Sequence, residues 1–396
     1  MKLLFVVNNF NFGGPQKSLV NLLYELKDTD VQIDLMILNQ QDKLTSYIPD
    51  YVNVVQVPSK YSLLMLDKSN LFKKIMRNLN KPILILKVLM FVIKSQLKLQ
   101  DNTKSKQKFW IENKWNNEDF SKQYDVAVGV SGGHSVYFIE DFIKANHKIG
   151  WIRTDYKVLK RDHKLDKKYF EKMNGMIAVS KMTAENFENI FNIKPYVYYN
   201  SLPIKLYENI EGENFDKDSK YMNLCTICRL DNGKGLDLLI EAAKILKNQQ
   251  IKFKWYIVGT GKLEEWLKEE IQKSSLEKLV LPIGFKFNTG NILKKMDVLV
   301  HPSRFEGKSN TIDEGLYYEI PVVATNFETV YEQIVDGENG FITNMNGNEI
   351  AAKIIRLYED KQLYKKIKTE LHNNRYVPEN KGIEFINLLY KIGDNK

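Results

Sequence analysis

The sequence predicts an α/β protein of two doubly wound, Rossmann-like domains facing each other across a cleft. Three observations carry that expectation. Short β-branched runs alternate with amphipathic helical stretches, the pattern of parallel sheets wrapped by helices. The alternation breaks at a polar stretch near the middle of the chain and then begins again. Glycines stand where strands turn into helices, at Gly13 and Gly14 and again at Gly259 and Gly261. With 396 residues, 43% hydrophobic and 27% charged, the chain has the length for two cores of roughly 150–200 residues each.

The first half opens with a strand, Leu3 to Val7, then a glycine-containing loop. A helix follows near Pro15 to Leu26 with Leu19, Leu22, Leu23 and Leu26 on one face. Further strands are expected at Val31 to Leu38, Tyr124 to Val130, Lys148 to Ile152 and Gly175 to Val179. Residues 1–206 make the expected first domain, and the polar stretch 207–220, with no apolar period, the linker. The second domain, 221–380, is expected to hold strands at Asn223 to Ile227, Phe253 to Val258, Leu279 to Ile283, Val298 to His301 and Val322 to Ala324. Helices such as Leu236 to Lys247 and Lys262 to Lys273 separate them. A last helix within 381–396 is expected to cross back and brace the first domain.

Charge narrows the partners. The net charge is +9, yet 60–114 alone holds thirteen Lys or Arg against Asp67, Asp101 and Glu112, so the remainder is close to neutral. One basic patch suits an anionic polymer or an anionic membrane surface rather than a nucleic-acid coat spread over the protein. Within it, Leu71, Phe72, Ile75, Leu79, Leu86, Leu89 and Phe91 are expected on an apolar face, with Lys73, Lys74, Arg77, Lys87, Lys94 and Lys98 at the rim. An ordinary amphipathic helix packed on the first sheet explains the same pattern. The run Pro82 to Ile93 falls short of the ~20 residues needed to span a bilayer. The N-terminus reads as a first strand rather than a signal peptide, so the expected location is cytoplasmic, peripheral on the inner face of the cell membrane. Cys225 and Cys228 read as small buried strand residues; along a strand their Cα atoms lie ~10 Å apart, too far for a disulfide.

Candidate chemistry gathers at the carboxyl ends of the second domain's strands, where such sheets bind ligands. Arg229 and Lys234 in CRLDNGKG place two cations after one strand, suited to successive phosphates of a diphosphate. Gly259, in VGTG, permits close approach of a ligand backbone to backbone, or simply a tight turn. In SRFEGKSNTIDEG, Glu306 lies in a loop, Asn310 and Asp313 form a helix-capping pair, and Glu314 sits in the first turns of that helix. The amides from Lys308 to Ile312, including Ser309, Asn310 and Thr311, form a helix N-terminus suited to phosphate or sugar hydroxyls. Taken singly, each glutamate is as well explained as a surface or dipole-balancing residue. Asp28 with Asp30, and Asp216 with Asp218, form Asp-x-Asp pairs, but one follows a helix and the other lies in the linker, so no metal site is expected.

SRFEGKSNTIDE, with Glu306 and Glu314 eight positions apart, resembles the paired-glutamate motif of glycosyltransferase family 4, whose fold is GT-B. The resemblance extends to RLDNGKG, VGTG, IPVVAT, VDGENGF and the opening NFGGPQKSLVNLLYEL. It implies a retaining transferase that moves a hexose or N-acetylhexosamine from a nucleoside diphosphate sugar, by family habit a UDP-sugar. The acceptor would be a growing cell-surface glycan or lipid-linked glycan, with no bound metal and no cofactor. By the same resemblance Arg229 and Lys234 hold the donor diphosphate, Glu314 the ribose hydroxyls, and Glu306 lies near the donor sugar. Gly13 and Gly14 face the diphosphate or the acceptor.

One departure stands out. Many bacterial polysaccharide-assembling relatives resemble WIHTD where this chain reads WIRTD at Trp151 to Asp155, and Arg153 cannot act as a general base at neutral pH. Asp155 and His134 are then the candidates for the acceptor hydroxyl. Two other readings share the architecture: a non-catalytic nucleotide-sugar-binding partner subunit, and a sugar-nucleotide epimerase.

Overall fold

A computed structural model of the chain describes all residues except 11, 12, 40–43, 67–70, 98–101, 116–119, 211, 213, 214, 375–379, 395 and 396. Lys98 and part of the expected linker 207–220 therefore lie outside the described residues. The chain divides into two compact units, Met1–Asn200 with Asn380–Lys396, and Ser201–Glu379.

The first unit is built on a seven-stranded parallel sheet in the order β3-β2-β1-β4-β5-β6-β7. Its strands are β1 (Lys2–Asn9), β2 (Gln32–Asn39), β3 (Asn53–Val55), β4 (Gln123–Val130), β5 (Lys144–Ile152), β6 (Gly175–Ala178) and β7 (Tyr196–Val197). The helices used below are α1 (Gly14–Glu25), α2 (Pro82–Gln96), α3 (Asn102–Asn113) and α4 (His134–Phe142). The second unit has a six-stranded parallel sheet, β10-β9-β8-β11-β12-β13. It comprises β8 (Met222–Ile227), β9 (Phe253–Val258), β10 (Val280–Gly284), β11 (Val298–His301), β12 (Val322–Thr325) and β13 (Gly340–Thr343). Among its helices are α5 (Leu236–Asn248) and α6 (Asn310–Tyr317).

Both sheets are doubly wound, as the alternation predicts. Strand order reverses between β1 and β4 in one unit and between β8 and β11 in the other. Parallel strands covered on both faces need apolar residues at successive positions. In β8, Leu224 belongs to one core layer and Cys225 to the layer on the other face, and β11 repeats this with Val298 and Leu299 paired to them. Cys225 is buried and both cysteines are free. The strands the sequence pattern overlooks, β3, β7 and β13, lie at or beside sheet ends and have at most four residues, too few to show a period.

The boundary falls earlier than the sequence suggests. Residues 201–206, assigned to the first domain by pattern, belong to the second unit, where the adjoining Tyr207 is buried and hydrogen-bonded to Glu314. The last helix, α7 (Lys381–Asp394), packs in the first unit. Its Phe385 stacks on Trp151 at 5.2 Å and on Phe5 at 5.8 Å between ring centroids, and Gly382 lies against the Glu25 carbonyl, where a Cβ would come within 2.7 Å.

The basic region forms helices on the first unit, with a surface unlike the expected rim. Val88 and Phe91 of α2 are buried, whereas Phe72, Leu79, Leu86 and Leu89 are exposed. Lys74, expected at the rim, is buried. Within the described residues no helix is long and apolar enough to cross a membrane.

Candidate functional site

Two loops meet at the strand-order reversal of the second sheet. One leaves β8 and carries Arg229 and Lys234; the other leaves β11 and carries Glu306. What lets them meet is Gly235. Its φ of 63° is in the left-handed region, and a Cβ there would stand 1.9 Å from the Pro302 carbonyl oxygen. Backbone and side chains then join the loops: Arg304 N donates to the Gly233 carbonyl at 2.9 Å, and the Arg304 guanidinium grips both carboxylate oxygens of Asp237 at 2.9 and 2.6 Å.

At the centre of this joint, Lys234 Nζ lies 2.6 Å from Glu306 Oε1. The same oxygen accepts from Ser303 Oγ at 3.0 Å and lies 3.1 Å from His301 Nε2. His301 Nε2 is also 3.2 Å from Ser309 Oγ, whose oxygen caps α6 by accepting from Ile312 N at 3.3 Å. Burial acts to raise the Glu306 carboxyl, but the Lys234 charge and the His301 hydrogen bond outweigh it and hold the group at about 2. Lys234 is raised in turn: burial opposes its charge, and Glu306 more than compensates. Glu306 engages one of the three ammonium hydrogens of Lys234, leaving a part-buried, charged donor directed by its carboxylate partner. Arg229, by contrast, is 68% exposed, with Nε on Asp231 Oδ2 at 2.6 Å.

Glu314 occupies a separate polar cradle on α6. It is buried, and its Oε2 accepts from Tyr207 Oη at 2.8 Å and Thr289 Oγ1 at 2.7 Å. Burial and then the neighbouring Glu314 charge push the Tyr207 phenol well above its usual value, so it stays a donor at any working pH.

The expected capping pair is not what begins α6. Ser309 is the cap; Asn310 is the first helical residue, and Asp313 pairs with Lys308 and accepts from Gln333 Nε2 at 2.6 Å. Nor are all the amides of 308–312 open to a ligand. Ser309 N donates to Gln333 Oε1 at 3.0 Å, Gln333 Nε2 returns a bond to the Ser309 carbonyl at 2.8 Å, and the Ile312 amide is held by Ser309. Thr311 lies in the first turn of the helix. Gly259 serves the protein's own backbone: at φ 143° a Cβ would stand 1.8 Å from the Cys228 carbonyl oxygen, so the glycine lets the loops after β8 and β9 touch.

The first unit distributes its expected residues differently. Gly13, in extended backbone, precedes α1, and Gly14 begins it. His134 starts α4 after the left-handed Ser131, Gly132 and Gly133. Its ring is buried against Trp110 and Tyr137, at 5.4 and 5.5 Å, and burial with the nearby Arg161 charge lowers its pKa to about 3. It is therefore neutral near pH 7. Asp155 is buried too, accepting from Lys157 N at 2.9 Å and Asn186 Nδ2 at 3.1 Å, which makes it a turn cap. Among the described residues no cluster of three or more His, Cys, Asp or Glu side chains is arranged to hold a metal ion.

Sequence reasoning missed His301, Ser303, Gln333, Tyr207 and Thr289. His301 and Ser303 had a local signal, since they stand within five residues of Glu306 in HPSRFE. Tyr207 and Thr289 had none, because they reach Glu314 from 107 and 25 residues away.

With this geometry in view, residues 208–373, most of the second unit, match the family model Glycosyl transferases group 1. Among curated proteins, the poly(ribitol-phosphate) alpha-N-acetylglucosaminyltransferase of Staphylococcus aureus is 28% identical over 197 residues, covering 47% of this chain and 37% of that protein. An N-acetylgalactosamine-N,N'-diacetylbacillosaminyl-diphospho-undecaprenol 4-alpha-N-acetylgalactosaminyltransferase of Campylobacter jejuni is 28% identical over 206 residues, covering 51% of this chain and 55% of that protein. The chain thus spans roughly half or less of the length of these relatives. Among solved structures, a mutant of S. aureus TarM in complex with fondaparinux, alpha-GlcNAc-glycerol and UDP aligns over the full length of both chains, with TM-score 0.68 and 16% identity. Anabaena Alr3699/HepE in complex with UDP aligns over 99% of this chain and 100% of its own, with TM-score 0.67 and 18% identity. At such identity the likeness is one of fold, and the fold is GT-B.

The Glu306 carboxyl yields a pH prediction. Because its folded pKa lies below the ordinary 4.5, its contribution to stability is complete above the unfolded value and is lost as pH falls toward about 2. The depression corresponds to on the order of 3 kcal/mol. Urea unfolding of the wild type and of Glu306→Gln should differ by about that much from pH 7 to pH 5, the difference shrinking as pH falls below the ordinary 4.5 and closing near about 2. A difference that does not change with pH contradicts the assignment.

Proposed function

We propose that the protein is a retaining glycosyltransferase that moves a hexose or N-acetylhexosamine from a UDP-sugar to a cell-surface glycan. The observation that carries this reading is the part-buried Lys234–Glu306 pair at the strand-order reversal, within a segment matching the group 1 model. The names of the relatives, which include a poly(ribitol-phosphate) alpha-N-acetylglucosaminyltransferase and an S. aureus capsular polysaccharide biosynthesis glycosyltransferase, support the choice of acceptor class.

The chemistry asks little of the chain beyond placement and charge. The bond between the anomeric carbon and the diphosphate oxygen breaks as one forms to the acceptor oxygen on the same face, and the acceptor's proton passes to the departing phosphate. Negative charge grows on that phosphate, and Lys234, fixed by Glu306 in a partly desolvated joint, meets it, with Arg229 at the rim. Glu306 accepts from sugar hydroxyls. Glu314, oriented by Tyr207 and Thr289, accepts from the ribose. In this reading Lys234 supplies the charge stabilisation that a divalent ion supplies elsewhere, and no general base is required from His134 or Asp155.

Purified protein assayed against a panel of nucleotide sugars should transfer from at least one, with NMR of the product showing retained anomeric configuration. Lys234→Ala and Glu306→Ala should each lower kcat/KM by ~10²-fold or more while leaving the fold intact. Unchanged rates would sink the reading, and release of a free epimer would replace it with epimerisation.

The same reading puts the protein on an anionic membrane surface through α2. Ile83, Leu86, Met90, Ile93 and Leu97 form an exposed stripe at helical spacing, opposite the buried Val88 and Phe91, with Lys94 exposed beside them. Lys73, on the preceding short helix Leu71–Met76, and Arg77, just after it, are exposed. Vesicle flotation should show binding to phosphatidylglycerol-containing vesicles, weakened several-fold by salt and by Leu86→Asp with Ile93→Asp. Equal recovery of that double variant and the wild type with the vesicles would contradict this placement.

A further inference from the structure

The first unit contains a buried cation without a counter-charge. Arg153 follows β5 and is 6% exposed. Its Nη2 donates to Asn200 Oδ1 at 2.7 Å and to Ser18 Oγ, and its Cζ lies over the Trp151 ring, 4.3 Å from the centroid. No carboxylate among the described residues pairs with it, and its Nε and Nη1 are buried with no hydrogen-bond partner. The Trp151 indole beneath it also has a buried, unpartnered Nε1. Nε and Nη1 of Arg153 and Nε1 of Trp151 are therefore left without an acceptor. Ser18 belongs to α1, one turn from the start of a helix with no acidic residue in its first turn. Burial pulls the guanidinium down to about 9, so it remains charged at neutral pH.

A folded protein rarely leaves such a group unanswered. Water can satisfy the N-H groups but cannot offset the charge. An oxyanion does both, and the planar fork of arginine matches it. The donor diphosphate has its own cations, Lys234 and Arg229, in the second unit.

We propose that Arg153 is the recognition residue for an acidic group, phosphate or carboxylate, carried by the acceptor. Resting on the glycosyltransferase reading, this deepens it: the preferred acceptor is an anionic glycan, with Ser18 and Asn200 positioning the guanidinium and Trp151 supporting its plane.

The test uses the full chain and thermal shift, with inorganic phosphate and acetate as probes and UDP saturating so that Lys234 is occupied. Wild type should be stabilised by at least one probe, phosphate indicating a phosphorylated acceptor and acetate a uronic-acid type. Arg153→Gln should weaken the apparent affinity at least about tenfold and Arg153→Lys less, with the UDP shift unchanged in both. If Arg153→Gln does not fold, the Arg153→Lys comparison alone decides, since losing the fork should still weaken the probe. An undiminished probe shift in the variants, no shift with either probe in the wild type, or loss of the UDP shift with Arg153→Gln overturns the proposal. Failure of UDP to stabilise the wild type counts against the donor reading instead, and the probe titration without UDP still judges Arg153.

Discussion

The second unit turns on one close contact, the approach of the Gly235 turn to the Pro302 carbonyl. It exists because residue 235 has no Cβ, and it brings the loop after β8 within reach of the loop after β11. Everything charged in the candidate site follows from it. Lys234 reaches Glu306, Arg304 reaches Asp237, and the carboxylate so fixed connects through His301 to the residue that caps α6. A part-buried ion pair of this kind is weak evidence for stability, since desolvation opposes the attraction. Its value lies in placement: a lysine tied to a glutamate in a partly dry joint has a fixed charge before any ligand is present, at the point where the proposed function puts a phosphate.

The two glutamates of the motif do different things although eight positions separate them. Glu306 is in a loop and is neutralised by a cation; Glu314 is on a helix and is held by neutral hydroxyl donors. The pattern on the chain records both residues but not this division. It arises because a loop carries one side chain toward the β8 turn, while the helix carries the other toward Tyr207 and Thr289.

Much of the fold was legible because alternation is a local property. The strand and helix runs of both halves, and the restart of the pattern at the second sheet, needed only neighbouring residues. The boundary was misplaced because Tyr207 belongs with Glu314, a pairing that no local composition reveals. The α6 cap shifted by one residue because Ser309, not Asn310, has the extended backbone that capping requires. His134 and Asp155 were attractive for their chemistry and their place after strands. The structure gives His134 to an aromatic core and Asp155 to a turn, since a polar side chain beside Trp110 or Asn186 is claimed by packing before it is available to a substrate. Arg153 was visible as a departure, but its unpaired donors became visible only with the fold.

In the proposed function Lys234, held by Glu306, waits for the outer phosphate of a nucleoside diphosphate. Calorimetric binding of UDP and of UMP to the wild type and to Lys234→Ala tests it most directly. The account predicts that UDP binds the wild type at least about tenfold more tightly than UMP, and that the preference collapses in Lys234→Ala. Equal affinity for the two nucleotides in the wild type, or an undiminished preference in the variant, would contradict it.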